Sequence, residues 1–248
     1  MNLNTKRSAL LVLISGTAMF LSLLLMLILS GENPHPATYP NTHKFNFAIY
    51  WFELADHESE INQILGEPST EIGTHLRKVI NIINKCDYLF MVSYSLLFAC
   101  LFVFFYSVNK NLSPNSLIID LLLFSGLLLS AIMLIGDIIE NMQLFKLADY
   151  GINPEIRIDT ISSLKLWTRV KWIAIFTASI LIAISCVLKE KKLFRISLAA
   201  LYIISAILGI ISISLFSARF LLEYSSNILG LAWLISTIYC GVFFFKKG

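Results

Sequence analysis

The chain has 248 residues, of which 57% are hydrophobic and only 14% are charged. Soluble domains carry roughly 45–50% apolar and about 25% charged residues, so this composition excludes an ordinary soluble domain. The formal net charge of +3 is not gathered into a basic patch on a soluble face, which argues against nucleic acid as a partner. The partner that the composition implies is membrane lipid.

Six continuous apolar runs divide the chain, and most of them approach the roughly 20 residues that a helix needs to cross a membrane. The runs are unbroken and do not alternate, which favours helices over the strands of a membrane barrel. They comprise residues 8–30, 88–108, 117–136, 172–188, 196–217 and 228–245. We therefore predict an all-α integral membrane protein with six transmembrane helices.

The first run follows Lys6 and Arg7, as the apolar region of a signal peptide follows basic residues. Its length of 23 residues, from Ser8 to Ser30, exceeds the roughly 7–15 that are usual there. No small-x-small cleavage site closes it before Gly31. We interpret residues 1–30 as an uncleaved first transmembrane anchor.

Residues 31–87 form the longest stretch outside the runs. This stretch opens with a linker that contains three prolines, which disfavour helix: Pro34, Pro36 and Pro40. Two amphipathic segments follow, separated by Gly66 and Pro68, and their apolar residues recur at helical spacing. The pattern predicts an extracytoplasmic linker and a small amphipathic helical cap on the outer side of the membrane.

Residues 88–248 are predicted to form a five-helix membrane bundle. Its spans cover about 88–108, 116–145, 168–188, 195–217 and 226–246. The helical pattern of the third span continues past its apolar run to Phe145, and an amphipathic segment from Ile161 leads into the fourth. We expect both helices to project outward and pack against the cap.

Small residues recur along the fifth span at Ser205, Gly209 and Ser212. This small-x-x-x-small spacing is typical of close contacts between membrane helices. It predicts a helix–helix partner or a homo-oligomer through span five.

Basic residues are concentrated in every second segment between the runs. With the N-terminus inside, the inner segments carry nine basic residues against only Asp120 and Glu190. The nine are Lys6, Arg7, Lys110, Lys189, Lys191, Lys192, Arg195, Lys246 and Lys247. The outer segments carry ten basic and fourteen acidic residues. This distribution satisfies the positive-inside rule and predicts cytoplasmic N- and C-termini.

A polar cluster is predicted at the outer ends of spans two, three and four. Asp137, Glu140 and Asn141 share one face of the third helix, because they lie at i, i+3 and i+4. Asp87 and Tyr94 form one stripe at the start of span two, and Arg169 and Lys171 stand at the start of span four. Unpaired charges are costly at this depth, so we expect the opposite charges to pair.

Glu53 lies on the apolar side of the first cap segment, between Phe52 and Leu54. From there it can reach Arg169 or Lys171, which would join the cap to the polar cluster. A carboxylate group beside a partly desolvated cation is suited to acid–base chemistry or to holding a polar head group.

Two hypotheses follow from the cluster. In the first, the protein binds or modifies a lipid or an apolar small molecule, with Asp137 and Glu140 as catalytic acid and base. The ligand-binding residues would be Glu53, Asp87, Tyr94, Asn141, Arg169 and Lys171. In the second, the protein is a structural or assembly subunit, and the cluster only clamps helices together. The sequence leaves open whether it is an enzyme. Secondary transport is disfavoured, because the span centres carry no charge.

Metal ligation receives little support from the sequence. His57 and Glu60 have a spacing that can hold a metal ion, but a solvated acidic helix face explains them better. The four cysteines, Cys86, Cys100, Cys186 and Cys240, include no C-x-x-C pair. We predict neither a metal site nor a cofactor.

Four short motifs occur in order along residues 45–172. They are Phe52-Glu53-Leu54-Ala55, Asp87-Tyr88-Leu89-Phe90, Asp137-Ile138-Ile139-Glu140-Asn141 and Lys171-Trp172. In these motifs the chain resembles an uncharacterised family of bacterial multi-pass inner-membrane proteins. The resemblance implies a bacterial inner membrane, and it contains the acids and the lysine already selected by their spacing.

Overall fold

The computed structural model describes residues 3–29, 48–66, 70–149 and 154–246, and the proline-rich linker lies outside them. Within these ranges the chain forms eight α-helices, one short 3-10 helix at Phe216–Ala218 and no β-strand. The α-helices are α1 (Leu3–Leu29), α2 (Ala48–Glu53), α3 (Glu58–Leu65), α4 (Glu71–Leu112), α5 (Leu117–Ala148), α6 (Pro154–Val187), α7 (Leu193–Ser214) and α8 (Leu221–Lys246). All except α2 and α3 are long and apolar enough to span a membrane. The predicted all-α fold is confirmed for the described residues, as is the presence of six helices capable of spanning a membrane.

Three of the spanning helices are longer than a membrane crossing. α4 has 42 residues, α5 has 32 and α6 has 34, which at about 1.5 Å per residue gives roughly 63, 48 and 51 Å. The hydrocarbon layer is only about 30 Å thick. The second amphipathic segment is the first part of α4, which Thr70 caps by accepting a hydrogen bond from the Gly73 backbone N–H at 3.1 Å. α6 begins at Pro154, well before the predicted start of span four.

The six spanning helices form a closed ring in which each helix packs against its neighbours in sequence and α8 returns to α1. Both ends of the described chain meet at one end of this ring. There the Lys6 ammonium lies 5.3 Å from the centre of the Phe244 ring, and Asn111 donates a hydrogen bond to the Thr5 hydroxyl at 3.1 Å. We call this the terminal end of the bundle.

The small residues of α7 pack inside the ring. Ser205 donates a hydrogen bond to the Ser225 carbonyl on α8 at 2.9 Å, and Ser225 donates to the Ser205 carbonyl at 2.8 Å. Gly209 lies against the Phe176 ring of α6 and leaves no room there for a Cβ atom. A partner or second copy bound through span five therefore stays a prediction. It would contact exposed residues of α7 such as Ile204 and Ile207.

The opposite end of the bundle is covered by α2 and α3, which we call the cap. The predicted first cap segment is divided into these two short helices by a turn at residues 54–57. Trp51, Phe52, Ile61 and Leu65 of the cap are almost completely buried. Their core includes residues of three long helices: Ile80, Leu144, Leu147, Ile161 and Leu164. The cap is therefore held by apolar packing on the projecting ends of α4, α5 and α6.

Arg77 joins the end of α3 to the end of α5. Its guanidinium group donates hydrogen bonds to the carbonyls of Gly66 at 3.1 Å and of Ala148 at 3.2 Å. Gly66 ends α3 with a φ of +68°, a conformation that glycine adopts without strain. The side chain of Arg77 is buried, so the carbonyls at these two helix ends are satisfied without water.

Candidate functional site

Lys171 lies beneath the cap and contacts three carboxylates. Its Nζ atom lies 2.7 Å from Glu140 Oε2, 3.2 Å from Glu53 Oε2 and 3.3 Å from Asp137 Oδ1. The lysine comes from α6, Asp137 and Glu140 from α5, and Glu53 from the last turn of α2. The exposed fraction of these side chains is 5% for Lys171, 12% for Glu53, 6% for Asp137 and 1% for Glu140. Lys171 is thus paired with the two acids of α5 and with Glu53, whereas Arg169, the other basic residue predicted for the cluster, is not part of it.

Neutral side chains orient the carboxylates. Tyr94 donates its hydroxyl proton to Asp137 Oδ2 at 2.6 Å. The Trp172 indole N–H donates to Glu53 Oε2 at 3.3 Å. A fourth acid, Asp87 of α4, accepts a hydrogen bond from the Asn141 amide at 2.6 Å. We call Lys171 with Glu53, Asp87, Asp137 and Glu140 the Lys171 cluster.

Close contact between α5 and α6 allows this arrangement. A Cβ atom at Gly136 would lie 3.3 Å from both the Cβ and the backbone nitrogen of Lys171. Glycine at this position therefore lets the lysine approach the helix turn that carries Asp137 and Glu140. The i, i+3 spacing of those two acids places both on the side that faces α6.

The Lys171 cluster contains four carboxyl groups and one ammonium group. Glu140 is completely buried, and its Oε1 atom has no hydrogen-bond partner among the described residues. Burial raises the pKa of Glu53 above its usual value, although the Lys171 charge opposes the shift. An uncompensated charge here would be costly, so the cluster favours neutral forms of some of its acids.

A pocket of about 150 Å³ adjoins the cluster between the cap, α6 and the end of α7. Its lining residues include Glu53, Asp56, Lys165, Thr168, Arg169, Ser212, Ser214 and Arg219. Asp56 forms ion pairs with Lys165, at 2.8 Å, and with Arg219. Desolvation lowers the pKa of Arg219 from its usual value. Arg169 is exposed and forms no ion pair with any residue that the structure describes.

The residues predicted from the sequence divide into two groups. Glu53, Tyr94, Asp137, Glu140 and Lys171 form one connected network, and Asp87 and Asn141 form a hydrogen-bonded pair beside it. Arg169 is not part of the network and lies on the pocket wall. Only Glu53 belongs to both the network and the pocket lining.

Several residues of the site were not predicted. Trp172 resembles an ordinary interfacial tryptophan in the sequence, yet it donates a hydrogen bond to Glu53. Thr168 donates its hydroxyl proton to the Glu53 carbonyl at 3.2 Å. Arg219 follows span five with no periodic signal around it, and only the tertiary fold brings it to Asp56. Of these three residues, only Thr168 could have been found from the sequence. It lies one helical turn before Lys171 and Trp172, and therefore on the same face of α6.

The interpretation of His57 and Glu60 as part of a solvated acidic face is wrong for Glu60. Its side chain is buried and accepts a hydrogen bond from the Asp56 backbone N–H at 2.7 Å. The cause is the turn at residues 54–57, which directs Glu60 back toward α2. Among the described residues, no group of three or more histidine, cysteine or acidic side chains is arranged to hold a metal ion.

No protein-family model matches the chain, and no curated protein or solved structure matches it either. The resemblance to a bacterial inner-membrane family accordingly stays a prediction. The structure supports a multi-pass membrane protein with a polar site beneath a helical cap.

Proposed function

We propose that this protein binds an amphipathic ligand, either a lipid or an apolar small molecule, whose anionic head group occupies the pocket beside Glu53. The observation that carries this proposal is Arg169. It lines the pocket as a cation without an ion-pair partner among the described residues, whereas Lys165 and Arg219 are paired with Asp56. A guanidinium group is well suited to bind a phosphate or carboxylate through two parallel hydrogen bonds.

The size of the pocket favours a head group over a whole ligand. Sites for drug-sized molecules have volumes of roughly 300–1,000 Å³, whereas this pocket has about 150 Å³. An apolar chain attached to the head group would therefore lie outside it. Leu166 and Leu215 follow the pocket residues Lys165 and Ser214 in sequence and are 57% and 55% exposed, and we propose that such a chain lies against them.

The Lys171 cluster supplies the chemistry behind this pocket. Asp137 and Glu140 do not line the pocket, so they act on a bound group through Lys171 and Glu53. Glu53 is the carboxyl group placed to contact the ligand, and Thr168 and Trp172 hold it in position. The arrangement of the site therefore favours ligand binding. Acid–base catalysis at this site would require Glu53 to be the residue that contacts the ligand.

The cap and the pocket are proposed to lie on the outer side of a bacterial inner membrane. The support is the distribution of basic residues along the sequence, nine of which fall in the segments predicted to lie inside. In this orientation the pocket opens near the outer leaflet, and both termini lie in the cytoplasm.

Native mass spectrometry of protein released from mild detergent tests the proposal. We expect wild type to retain a lipid or small molecule that Arg169→Gln has lost. Arg7→Gln is the matched control, since Arg7 is an exposed arginine at the opposite end of the bundle. Equal retention by all three proteins, or no adduct on folded wild type at any lipid concentration, would refute a site at Arg169.

A second candidate function is favoured by the contacts of Lys171 with acids from both α2 and α5. In this reading the protein is a structural or assembly subunit, and the cluster clamps the cap to the bundle. The clamp predicts that Asp137→Lys lowers thermal stability and that Lys171→Asp in the same chain restores part of it. Failure of the double variant to recover any stability would count against the clamp.

A further inference from the structure

We propose that the Lys171 cluster is a proton-binding site, and that Glu53 is the group through which its proton exchanges with the pocket. The cluster would hold at least one exchangeable proton among its carboxyl groups at neutral pH. This inference concerns the protein without a ligand, so it does not depend on the proposed function.

The balance of charge is the first argument. The titratable groups that face one another are Glu53 from α2, Asp87 and Tyr94 from α4, Asp137 and Glu140 from α5, and Lys171 from α6. Tyr50 of α2 interacts electrostatically with Glu53 and Lys171, and also with Glu223 of α8. One ammonium group neutralises one carboxylate, and carboxylates that share a desolvated site do not all ionise. The remaining acids must therefore bind protons or leave a large buried negative charge.

Glu140 provides the second argument. Its side chain is completely buried, and Oε1 has no hydrogen-bond partner among the described residues although Oε2 lies 2.7 Å from Lys171. An ionised carboxylate with one unsolvated, unpartnered oxygen is much more costly than a neutral carboxyl group. Glu140 is thus the member of the cluster best placed to hold the proton.

The contacts also define a route for exchange. Lys171 Nζ lies within 2.7 Å of Glu140 and 3.2 Å of Glu53. The ammonium group gives one proton to the Glu53 carboxylate, which breaks an N–H bond and forms an O–H bond. The resulting amine takes the proton of the Glu140 carboxyl group, which breaks that O–H bond and restores the ammonium. The net change is one proton moved from Glu140 to Glu53.

Glu53 can then release this proton to solvent in the pocket, since it is the member of the cluster that lines the pocket. The raised pKa of Glu53, which burial causes, suits a group that accepts a proton transiently. Asp87, Asp137 and Glu140 are not among the residues of the pocket wall.

Infrared difference spectroscopy of the protein in lipid nanodiscs tests both parts. Wild type at neutral pH is expected to show the carbonyl stretch of a protonated carboxylic acid, which shifts to lower frequency as D₂O exchanges the proton. In Glu53→Gln this exchange should slow about tenfold or more, which corresponds to a barrier higher by about 1.4 kcal/mol. Asp120→Asn is the control, because Asp120 pairs with Lys110 at the terminal end of the bundle.

Absence of the band from folded wild type overturns the proposal. An unchanged exchange rate in Glu53→Gln, or an equal slowing in Asp120→Asn, also overturns it. Should Glu53→Gln fail to fold, Glu53→Asp replaces it: the shorter side chain withdraws the carboxylate from Lys171, so the exchange must again be slower than in wild type. Because no ligand is added, this result and the native mass spectrum can fail independently.

Discussion

The Nζ atom of Lys171 lies 2.7 Å from Oε2 of Glu140, and the exposed fractions of these side chains are only 5% and 1%. This contact joins α6 to α5 beside Gly136, and the same ammonium group pairs with Glu53 and Asp137 at 3.2 and 3.3 Å. A buried pair contributes less to stability than its Coulomb energy, because both charges lose their hydration. Removal of one partner is strongly destabilising, because it leaves the other charge buried and unpaired.

Lys171→Met is therefore expected to destabilise the protein by about 3–5 kcal/mol, the cost of breaking a buried ion pair. The methionine side chain is similar in length to that of lysine, so the main change is the loss of the positive charge. The measurement is reversible unfolding in mixed detergent micelles with increasing denaturant.

Lys110→Met is the matched control for this prediction. Lys110 also lies close to an acid, 2.8 Å from Asp120, but the Asp120 side chain is 46% exposed. Exposed pairs contribute about 0–1 kcal/mol. Equal destabilisation by the two substitutions would show that loss of the buried Lys171 contacts costs no more stability than loss of the exposed Lys110 pair.

The pH dependence of stability should depend on Glu53. Burial raises the pKa of this carboxyl group above its ordinary value of 4.5, against the opposing effect of Lys171. The folded state therefore binds a proton that the unfolded state has released, so this contribution is fully present below about pH 4.5 and is lost as the pH rises through the folded-state pKa. Glu53→Gln, which does not titrate, lacks the contribution.

Melting temperatures of wild type and Glu53→Gln between pH 4.5 and pH 8 test this expectation. The stability of wild type relative to the variant should fall as the pH rises across this range. Lys171 and Asp137, the charged groups that act on Glu53, are present in both proteins. A difference that stays constant, or that grows with pH, would contradict the direction assigned to Glu53.

Arg77→Met should loosen the cap. The substitution removes the donors to the carbonyls of Gly66 and Ala148, and hydrogen bonds from charged groups contribute roughly 1.5–3 kcal/mol each. We expect faster hydrogen–deuterium exchange in α3 and in the last turn of α5, with α7 and α8 unchanged. Lys78→Gln, at the exposed neighbouring position, should leave all rates at the wild-type level. If α3 and the last turn of α5 exchanged at the same rates in Arg77→Met as in Lys78→Gln, Arg77 would not be what holds the cap.

Part of the site could be predicted from the sequence because membrane depth and helix spacing are local properties. Asp137 and Glu140 lie three residues apart on one helix, and Lys171 follows at the same depth on the next, so their pairing needed no tertiary information. The ends of the helices were harder to predict, since α4 and α6 extend far beyond their apolar runs as amphipathic segments.

The pocket could not be predicted for a related reason. It depends on the turn at residues 54–57, which directs Asp56 toward α6 and buries Glu60. It also depends on Arg219, which reaches Asp56 from the connection between α7 and α8. Neither contact leaves a periodic signal, because each joins segments that are distant in sequence and irregular in conformation.

Gly136→Ala tests the role of helix proximity in the Lys171 cluster. The added Cβ would lie 3.3 Å from the backbone nitrogen of Lys171, and backbone atoms cannot move aside as a flexible side chain does. α5 and α6 must then separate slightly, which lengthens the contacts of Lys171 with Asp137 and Glu140. Gly230→Ala makes the same change on α8 where no atom lies within 4 Å, so both variants gain the same helix propensity. Overpacking costs about 1–3 kcal/mol, and Gly136→Ala should be less stable than Gly230→Ala by this amount in denaturant unfolding. Equal stability of the two variants would mean that the contact between α5 and α6 has room for a methyl group, and that glycine is not what brings Lys171 to its acids.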